Sequence, residues 1–150
     1  MSEPITKPHV LAMIVCDQVI IDIHTGKQSI IGSFAVVNAA SFPANYPQMA
    51  VYVALTDGRG VTPLTLRLVD VDEGQEPVVE RKLNIQFRDP RQICEMHSVF
   101  HNLVFRVPGE YRFQILCEGE LLMERRLLVR QVQRGRRTPP RAAPPGQDSP

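Results

Sequence analysis

The stretch FRVPGEYRFQILCEGELL at residues 105–122 decides the fold class of this chain. After a Pro-Gly turn, apolar side chains at positions 111, 113, 115 and 117 alternate with polar side chains at 112, 114 and 118. Successive side chains of a β-strand point to opposite faces of a sheet, so this alternation predicts a half-buried strand. A Glu-Gly-Glu turn and a second apolar run follow, and together they predict a β-hairpin.

Similar runs recur along the chain from His9 to Val132, separated by turns rich in Gly, Pro and Asp, and no segment has a clear helical period. Many short strands joined by hairpins are typical of an antiparallel sandwich or barrel. We predict an all-β fold, an antiparallel immunoglobulin-like β-sandwich of seven to nine strands. Tyr111 follows the turn into a late strand, as does the tyrosine of the tyrosine corner in Greek-key sandwiches. The strand order is left open.

The length of 150 residues fits one domain with two tails. Residues 1–8 are polar and contain two prolines, which predicts a flexible leader. Residues 9–132 contain the strands of the sandwich domain. Residues 133–150 are rich in arginine and proline and almost lack large apolar side chains, so we predict a disordered tail with polyproline II character.

The ends and the cysteines bear on the cellular compartment. The N-terminus has no basic segment followed by an apolar one, and the longest apolar run falls far short of the ~20 residues that a membrane-spanning helix needs. We therefore expect a cytoplasmic protein. Three scattered cysteines do not form a disulfide framework. Cys16 and Cys117 lie in predicted core strands, where we expect small, reduced, apolar residues.

Motifs of catalysis are missing from the sequence. The Gly26-Lys27 pair has isoleucine where a phosphate-binding loop needs its first glycine, and no serine has the flanking glycines of a nucleophile elbow. The carboxylates around Asp72 lack the further ligands of a calcium loop and fit an acidic hairpin turn. The sequence therefore favours a non-enzymatic protein without a cofactor, and a module that binds an unknown protein partner is the leading hypothesis.

A second hypothesis is a small-ligand or metal-binding protein, or an enzyme, that uses Cys94, His97 and His101. Sulfur and imidazole are zinc ligands by type. Two histidines four residues apart in a strand share a face but lie roughly 13 Å apart along it, which is too far for one zinc ion. The competing interpretation is that these are polar positions near the start of a strand.

For the protein partner, the sequence offers the predicted loop between Phe42 and Pro47. It presents Phe42 and Tyr46 between prolines, and aromatic rings on a stiff loop are good binding anchors. An equally acceptable alternative is that both rings pack over the open end of the sandwich.

The C-terminal segment suggests a third hypothesis. Arg130, Arg134, Arg136, Arg137 and Arg141 give residues 130–150 a net charge of +4, and the rest of the chain is mildly acidic. Such a segment can bind nucleic-acid phosphates or an acidic protein surface weakly. No aromatic residues for base stacking accompany the arginines, so a solubilising tail is the simpler interpretation.

Four segments carry a resemblance: residues 14–20 (IVCDQVI), 24–34 (HTGKQSIIGSF), 41–43 (SFP) and 108–113 (PGEYRF). In this order they resemble an uncharacterised family of small bacterial β-domain proteins, over about residues 9–131. The resemblance implies a bacterial source and a compact β-sandwich-like domain. That family has no assigned activity and no assigned catalytic residues, so it implies no site.

Overall fold

The computed structural model describes residues 6–72 and 76–133, which form nine β-strands and no helix. The strands run β1 His9–Ile21, β2 Gln28–Ser33, β3 Val36–Ala39, β4 Ala44–Thr56, β5 Gly60–Asp70, β6 Val79–Phe87, β7 Cys94–Phe105, β8 Gly109–Cys117 and β9 Glu120–Gln131. Most of the predicted disordered tail, and residues 1–5 of the predicted flexible leader, lie outside the described residues.

The strands form two sheets. The first has the order β2-β1-β4-β7 and the second has the order β3-β9-β8-β5-β6. In one sheet β1, β4 and β7 take the places of strands A, B and E of an immunoglobulin domain, and in the other β5, β8 and β9 take those of C, F and G. The predicted all-β, immunoglobulin-like sandwich is confirmed.

One pairing departs from the antiparallel prediction, because β3 runs parallel to β9, with Val36 opposite Leu128 and Ala39 opposite Gln131. The chain reaches β3 directly after the β1–β2 hairpin and crosses from the first sheet to the second. The remaining strand pairs are antiparallel.

The core lies between the sheets and consists of the inward-facing residues of both. Aromatic rings join the two layers, since Phe100 of β7 lies 5.7 Å from Phe113 of β8, centroid to centroid. Phe105 meets Tyr111 edge to face at 5.0 Å. Burial of these apolar faces is the main force that holds the sheets together.

The tyrosine corner is present. Tyr111 is buried at the start of β8, the strand in the F position, and its hydroxyl donates a hydrogen bond of 2.6 Å to the carbonyl oxygen of Val107. This bond fixes the turn that leads from the first sheet to the second, as in other Greek-key sandwiches.

The cysteines are buried free thiols, and burial raises the pKa of each. Cys117 belongs to the core between the sheets. Cys16 is equally buried but lies outside that core, where its sulfur is 3.7 Å from the carbonyl oxygen of Ala50 in the neighbouring strand.

One predicted boundary differs from the structure. The predicted loop up to Pro47 is wrong from Ala44 onward, because β4 already pairs there with Phe105 of β7. The paired residues of β4 and β7 do not include Pro47 and Asn102, which lies opposite it. The missing N–H of Pro47 therefore breaks no hydrogen bond between the strands, and proline is tolerated inside β4.

Candidate interaction surface

A two-stranded ribbon formed by residues 17–33 extends from the edge of the first sheet. The pairing of β1 with β4 ends at Cys16 opposite Ala50. Beyond this point β1 pairs only with β2 among the described strands, down to Ile21 opposite Gln28. These residues therefore leave the sandwich as a hairpin; we call residues 17–33 the ribbon.

The ribbon contributes no side chain to the core and yet is rich in apolar residues. None of its residues belongs to the buried core or packs against it. Ile20, Ile21 and Ile31 are 47%, 48% and 39% exposed, and Ile23 near the tip is 91% exposed. Because Ile20 and Ile21 are adjacent in a strand, apolar side chains lie on both faces of the ribbon. An apolar surface of this kind on a hairpin is typical of a contact site.

The tip of the ribbon is closed by a defined turn. Asp22 Oδ1 accepts hydrogen bonds of 2.8 Å from the backbone N–H groups of His24 and Thr25, and these bonds lower the pKa of the Asp22 carboxyl. The backbone N–H of Asp22 also donates to the carbonyl oxygen of Lys27, at 2.9 Å. This Asx-type turn fixes the register of the two strands at their end.

At the base of the ribbon the side chain of Asp17 lies close to Gly32 on the opposite strand. Gly32 has a φ of +69°, and a Cβ atom there would lie 2.9 Å from Cγ of Asp17 on the opposite strand. Only glycine meets both requirements without strain. Asp17 Oδ1 accepts a hydrogen bond of 3.4 Å from the hydroxyl of Tyr46, whose ring lies 5.6 Å from that of Phe34.

The aromatic residues predicted as partner anchors, Phe42 and Tyr46, are half-buried and pack against the core. Tyr46 lies in β4, opposite Leu103, instead of in a loop. Burial, followed by the charge of Asp17, raises the pKa of its hydroxyl. The structure therefore agrees with the alternative in which both rings pack on the sandwich, and Tyr46 supports the base of the ribbon.

The predicted metal ligands are not brought together. Cys94 is buried, and its sulfur lies 3.7 Å from the carbonyl oxygen of Gln86 in β6. His97 and His101 have the opposite parity in the same strand, so they face away from the core. Among the residues that the structure describes, no three His, Cys, Asp or Glu side chains are close enough to hold a metal ion.

An open cleft of about 880 Å³ lies between the edges of β6 and β7. Its polar lining includes Asp70, Glu76, His101 and Arg106. A second, shallower cleft of about 440 Å³ continues along the same edges and is lined by Leu83, Ile85, Met96 and their neighbours. The shallower cleft also contains His97 and Ser98, but no hydrogen bond joins these two side chains, as the activation of a serine nucleophile by a base would require.

The outer face of β8 and β9 differs from the ribbon, since it carries a network of ion pairs. Arg112 binds Glu110 at 3.0 Å and Glu124 at 2.7 Å, and Arg126 binds Glu110 at 2.6 Å. These side chains satisfy one another in contact with water, so this part of the face is polar.

Of the predicted electrostatic tail, the structure describes only Arg130, which is exposed near the end of β9. Arg134, Arg136, Arg137 and Arg141 lie outside the described residues, and the tail hypothesis stays a prediction. The described residues contain no helix with the length and apolar character needed to cross a membrane.

Sequence reasoning missed the ribbon residues. Val19-Ile20-Ile21 and Ile30-Ile31 are consecutive apolar residues in strands, a pattern that also fits a strand covered on both faces. These residues lie outside the sandwich because the pairing of β1 with β4 ends before them, and the end of that pairing is set by the tertiary structure. The signal available in the sequence was a hairpin apolar on both faces around a polar tip, Asp22 to Lys27.

A family model, Family of unknown function (DUF6941), matches residues 11–130. The chain belongs to this family. The match covers the sandwich and the ribbon, and it agrees with the predicted uncharacterised β-domain family. No curated protein matches the chain.

Two solved structures are similar to this member of DUF6941 in fold. An immunoglobulin-like protein from Pseudomonas aeruginosa is 16% identical over 83% of this chain and 98% of that chain, with a TM-score of 0.40. A beta-D-glucoside glucohydrolase from Trichoderma reesei is 14% identical over 83% of this chain and 19% of that chain, with a TM-score of 0.43. At this level of similarity neither neighbour bears on function.

Proposed function

We propose that this domain is a non-enzymatic protein-interaction module and that the ribbon is its contact surface. The observation that carries the proposal is that residues 17–33 give no side chain to the core and yet expose Ile20, Ile21, Ile23 and Ile31. Apolar side chains that do not stabilise the fold gain free energy only when another surface covers them.

The geometry of the ribbon also suits binding. Its tip is held by the Asp22 turn and its two strands by the pairing of β1 with β2, so little conformational freedom is lost when a partner binds. A preorganised surface loses less free energy on association than a flexible one. Isoleucine side chains on both faces fit a partner groove that encloses the ribbon from two sides.

The non-enzymatic part of the proposal is supported by the chemistry of the clefts. The larger cleft contains Asp70, Glu76, His101 and Arg106, which are common polar surface residues, and the shallower one is largely apolar. The three thiols that could act as nucleophiles are buried, and burial raises their pKa values, so the reactive thiolate is disfavoured.

The test compares two triple variants that each replace three exposed β-branched apolar side chains by serine. Ile20→Ser/Ile21→Ser/Ile31→Ser changes the ribbon, and Val61→Ser/Ile93→Ser/Val104→Ser changes exposed apolar residues elsewhere (63%, 58% and 47% exposed). Each protein, with the wild type and a 1–133 truncation, is used for affinity capture followed by mass spectrometry. Captured partners are then purified and titrated by calorimetry.

The expected result is a partner that binds the wild type, the control variant and the truncation, and that binds the ribbon variant at least about 100-fold more weakly, since three apolar anchors are removed. Equal binding by the ribbon variant would show that the surface lies elsewhere. Binding that is lost only on truncation, and that weakens steeply with salt, would instead assign the interaction to the arginine-rich tail.

A further inference from the structure

The outermost strands of the two sheets are β2 and β7 in the first sheet and β3 and β6 in the second, and residues 17–21 of β1 are also open on the side away from β2. An edge strand presents unpaired N–H and C=O groups to any other strand, and proteins usually protect such edges with charges, short length or a covering group. These edges differ in how well they are protected.

Three of the edges have such protection. β3 is only four residues long. β6 has three consecutive charged residues, Glu80, Arg81 and Lys82. At β7 the guanidinium of Arg81 reaches across from the second sheet and donates a hydrogen bond of 2.9 Å to the carbonyl oxygen of Val99. This bond occupies the middle of the open edge.

The edge of β2 has none of these features. Its sequence, QSIIGS, contains no charged residue and no proline. Among the strands that the structure describes, β2 pairs only with β1. The edge also lies beside the apolar surface of the ribbon, so backbone hydrogen-bonding groups and apolar side chains are offered to a partner together.

The register shows which backbone groups face outward. Asp22 and Lys27 form a hydrogen-bonded pair, and such pairs alternate along an antiparallel ladder. The N–H and C=O groups of Ser29 and Ile31 therefore point toward β1, and those of Gln28 and Ile30 point to the open edge. Ile30, near the middle of β2, lies opposite Val19 of β1, and both side chains are half-buried.

We infer that the partner at this edge is a second copy of the chain, and that two β2 strands pair antiparallel about a two-fold axis beside Ile30. This arrangement brings Ile30 of each copy opposite Ile30 of the other, with two reciprocal backbone hydrogen bonds. One face of the joined sheet then carries a continuous row of four apolar side chains, Val19 and Ile30 from each copy. The two four-stranded sheets become one sheet of eight strands.

A second copy fits this edge better than a charged partner. Self-pairing requires a strand that does not repel itself, and β2 has no charge to do so. A two-fold contact uses the same patch on both subunits, and it is the commonest symmetry of soluble oligomers. The inference rests on the proposed role of the ribbon as a contact surface, and it identifies a second copy of the chain as the partner at the β2 edge of the ribbon.

The experiment measures the mass of the purified full-length protein by sedimentation equilibrium over a dilution series. We expect twice the chain mass of 16.9 kDa. Ile30→Lys and Ile30→Glu each place like charges face to face, which should weaken the dimer by about 100-fold or more. The control Ile23→Lys adds the same charge at the ribbon tip, away from the two-fold axis, and should remain dimeric.

The decisive sample is an equal mixture of the Ile30→Lys and Ile30→Glu proteins. Opposite charges then meet at the axis, so the mixture should form a heterodimer although each variant alone is monomeric. This recovery also shows that the variants are folded. A monomeric wild type, an unaffected Ile30→Lys dimer or a mixture that stays monomeric would overturn the inference.

These outcomes are separate from those of the proposed function. A monomeric wild type whose ribbon still captures a different protein would leave the proposed function standing without the dimer. The opposite result is a dimer that depends on Ile30 in a protein whose other partners bind the ribbon variant as well as the wild type. It would support the dimer and contradict the proposed contact surface.

Discussion

Arg81 of β6 donates a hydrogen bond from Nη1 to the carbonyl oxygen of Val99 in β7, at 2.9 Å, and links the edges of the two sheets. Its guanidinium also lies 4.5 Å from the centre of the Phe100 ring. In the described part of the chain no strand occupies the D position beside β7, where many immunoglobulin-like domains have one. One arginine side chain therefore bridges the side of the sandwich that a strand would otherwise cover.

Replacement of Arg81 by alanine should lower the free energy of unfolding by about 1 kcal/mol, because a solvent-exposed, charge-assisted hydrogen bond and a cation–π contact are lost. It should also increase concentration-dependent aggregation, because the edge of β7 is exposed. Urea denaturation and light scattering measure the two effects. The control Lys82→Ala changes the adjacent exposed residue, which faces the other way, and should alter stability by less than about 0.5 kcal/mol. Equal effects of both variants would contradict the role of Arg81.

Tyr111→Phe should lower the free energy of unfolding by about 1–2 kcal/mol, because a short, partly buried hydrogen bond to the carbonyl oxygen of Val107 is lost. Tyr46→Phe is the matched control. It removes a hydroxyl whose hydrogen bond to Asp17 is 3.4 Å long and exposed to water, and it should cost less than about 0.5 kcal/mol. Chemical denaturation of both variants measures the difference. A Tyr111→Phe protein as stable as the Tyr46→Phe protein would show that the corner does not hold the turn.

The sequence predicted most of the sandwich because its signals are local. The alternation around Phe113 and turns such as Pro108-Gly109 depend only on residues that are neighbours in the chain. The structure has a strand, β8, where the alternation predicts one. Tyr111 could be assigned to a tyrosine corner for the same reason, since its partner Val107 is four residues away.

The surface was not predictable in the same way. Whether Ile20 is buried or exposed depends on β4, which leaves β1 after Cys16, and no local pattern encodes that separation. Conversely, Tyr46 has an aromatic side chain between prolines, as a binding loop does, but it lies in a strand and packs on Phe34. Apolar composition alone does not distinguish a core face from a contact surface.

Tyr52 should give the protein an alkaline transition. Burial, followed by a hydrogen bond from its hydroxyl to Glu95 and the charge of that carboxylate, raises the pKa of Tyr52 to about 12. Between pH 10 and 12 the unfolded chain loses this proton while the folded protein keeps it, so ionisation favours the unfolded state. The contribution of protonated Tyr52 to the free energy of unfolding is therefore complete below pH 10 and is lost as pH rises through 12.

The measurement for Tyr52 is the free energy of unfolding as a function of pH, together with ultraviolet titration of the tyrosines. The wild type should lose stability more steeply than Tyr52→Phe over this range, since the variant has no proton to release at this position. Equal slopes for the two proteins would show that Tyr52 ionises at its ordinary pKa in the folded state.

Gly32→Ala should disturb the ribbon and leave the sandwich intact. A Cβ atom at position 32 meets the Asp17 side chain, and the φ of +69° is unfavourable for alanine, so either the Asp17 side chain or the backbone at the base of the ribbon must shift. Because the ribbon contributes no side chain to the core, the global free energy of unfolding should fall by no more than about 1–2 kcal/mol. Amide hydrogen exchange should accelerate strongly from Gln18 to Ile31 and remain unchanged in β5 and β8.

The control for Gly32→Ala is Gly26→Ala, at the ribbon tip. Gly26 also has a positive φ, of +72°, but no atom lies within 4 Å of the position that a Cβ would take. The Gly26→Ala variant therefore has the backbone strain without the clash with Asp17. In this variant faster amide hydrogen exchange should be confined to the turn. If Gly26→Ala accelerated exchange along the whole ribbon as much as Gly32→Ala, backbone strain at either glycine would suffice. The close approach of Asp17 would then not be the reason that position 32 requires glycine.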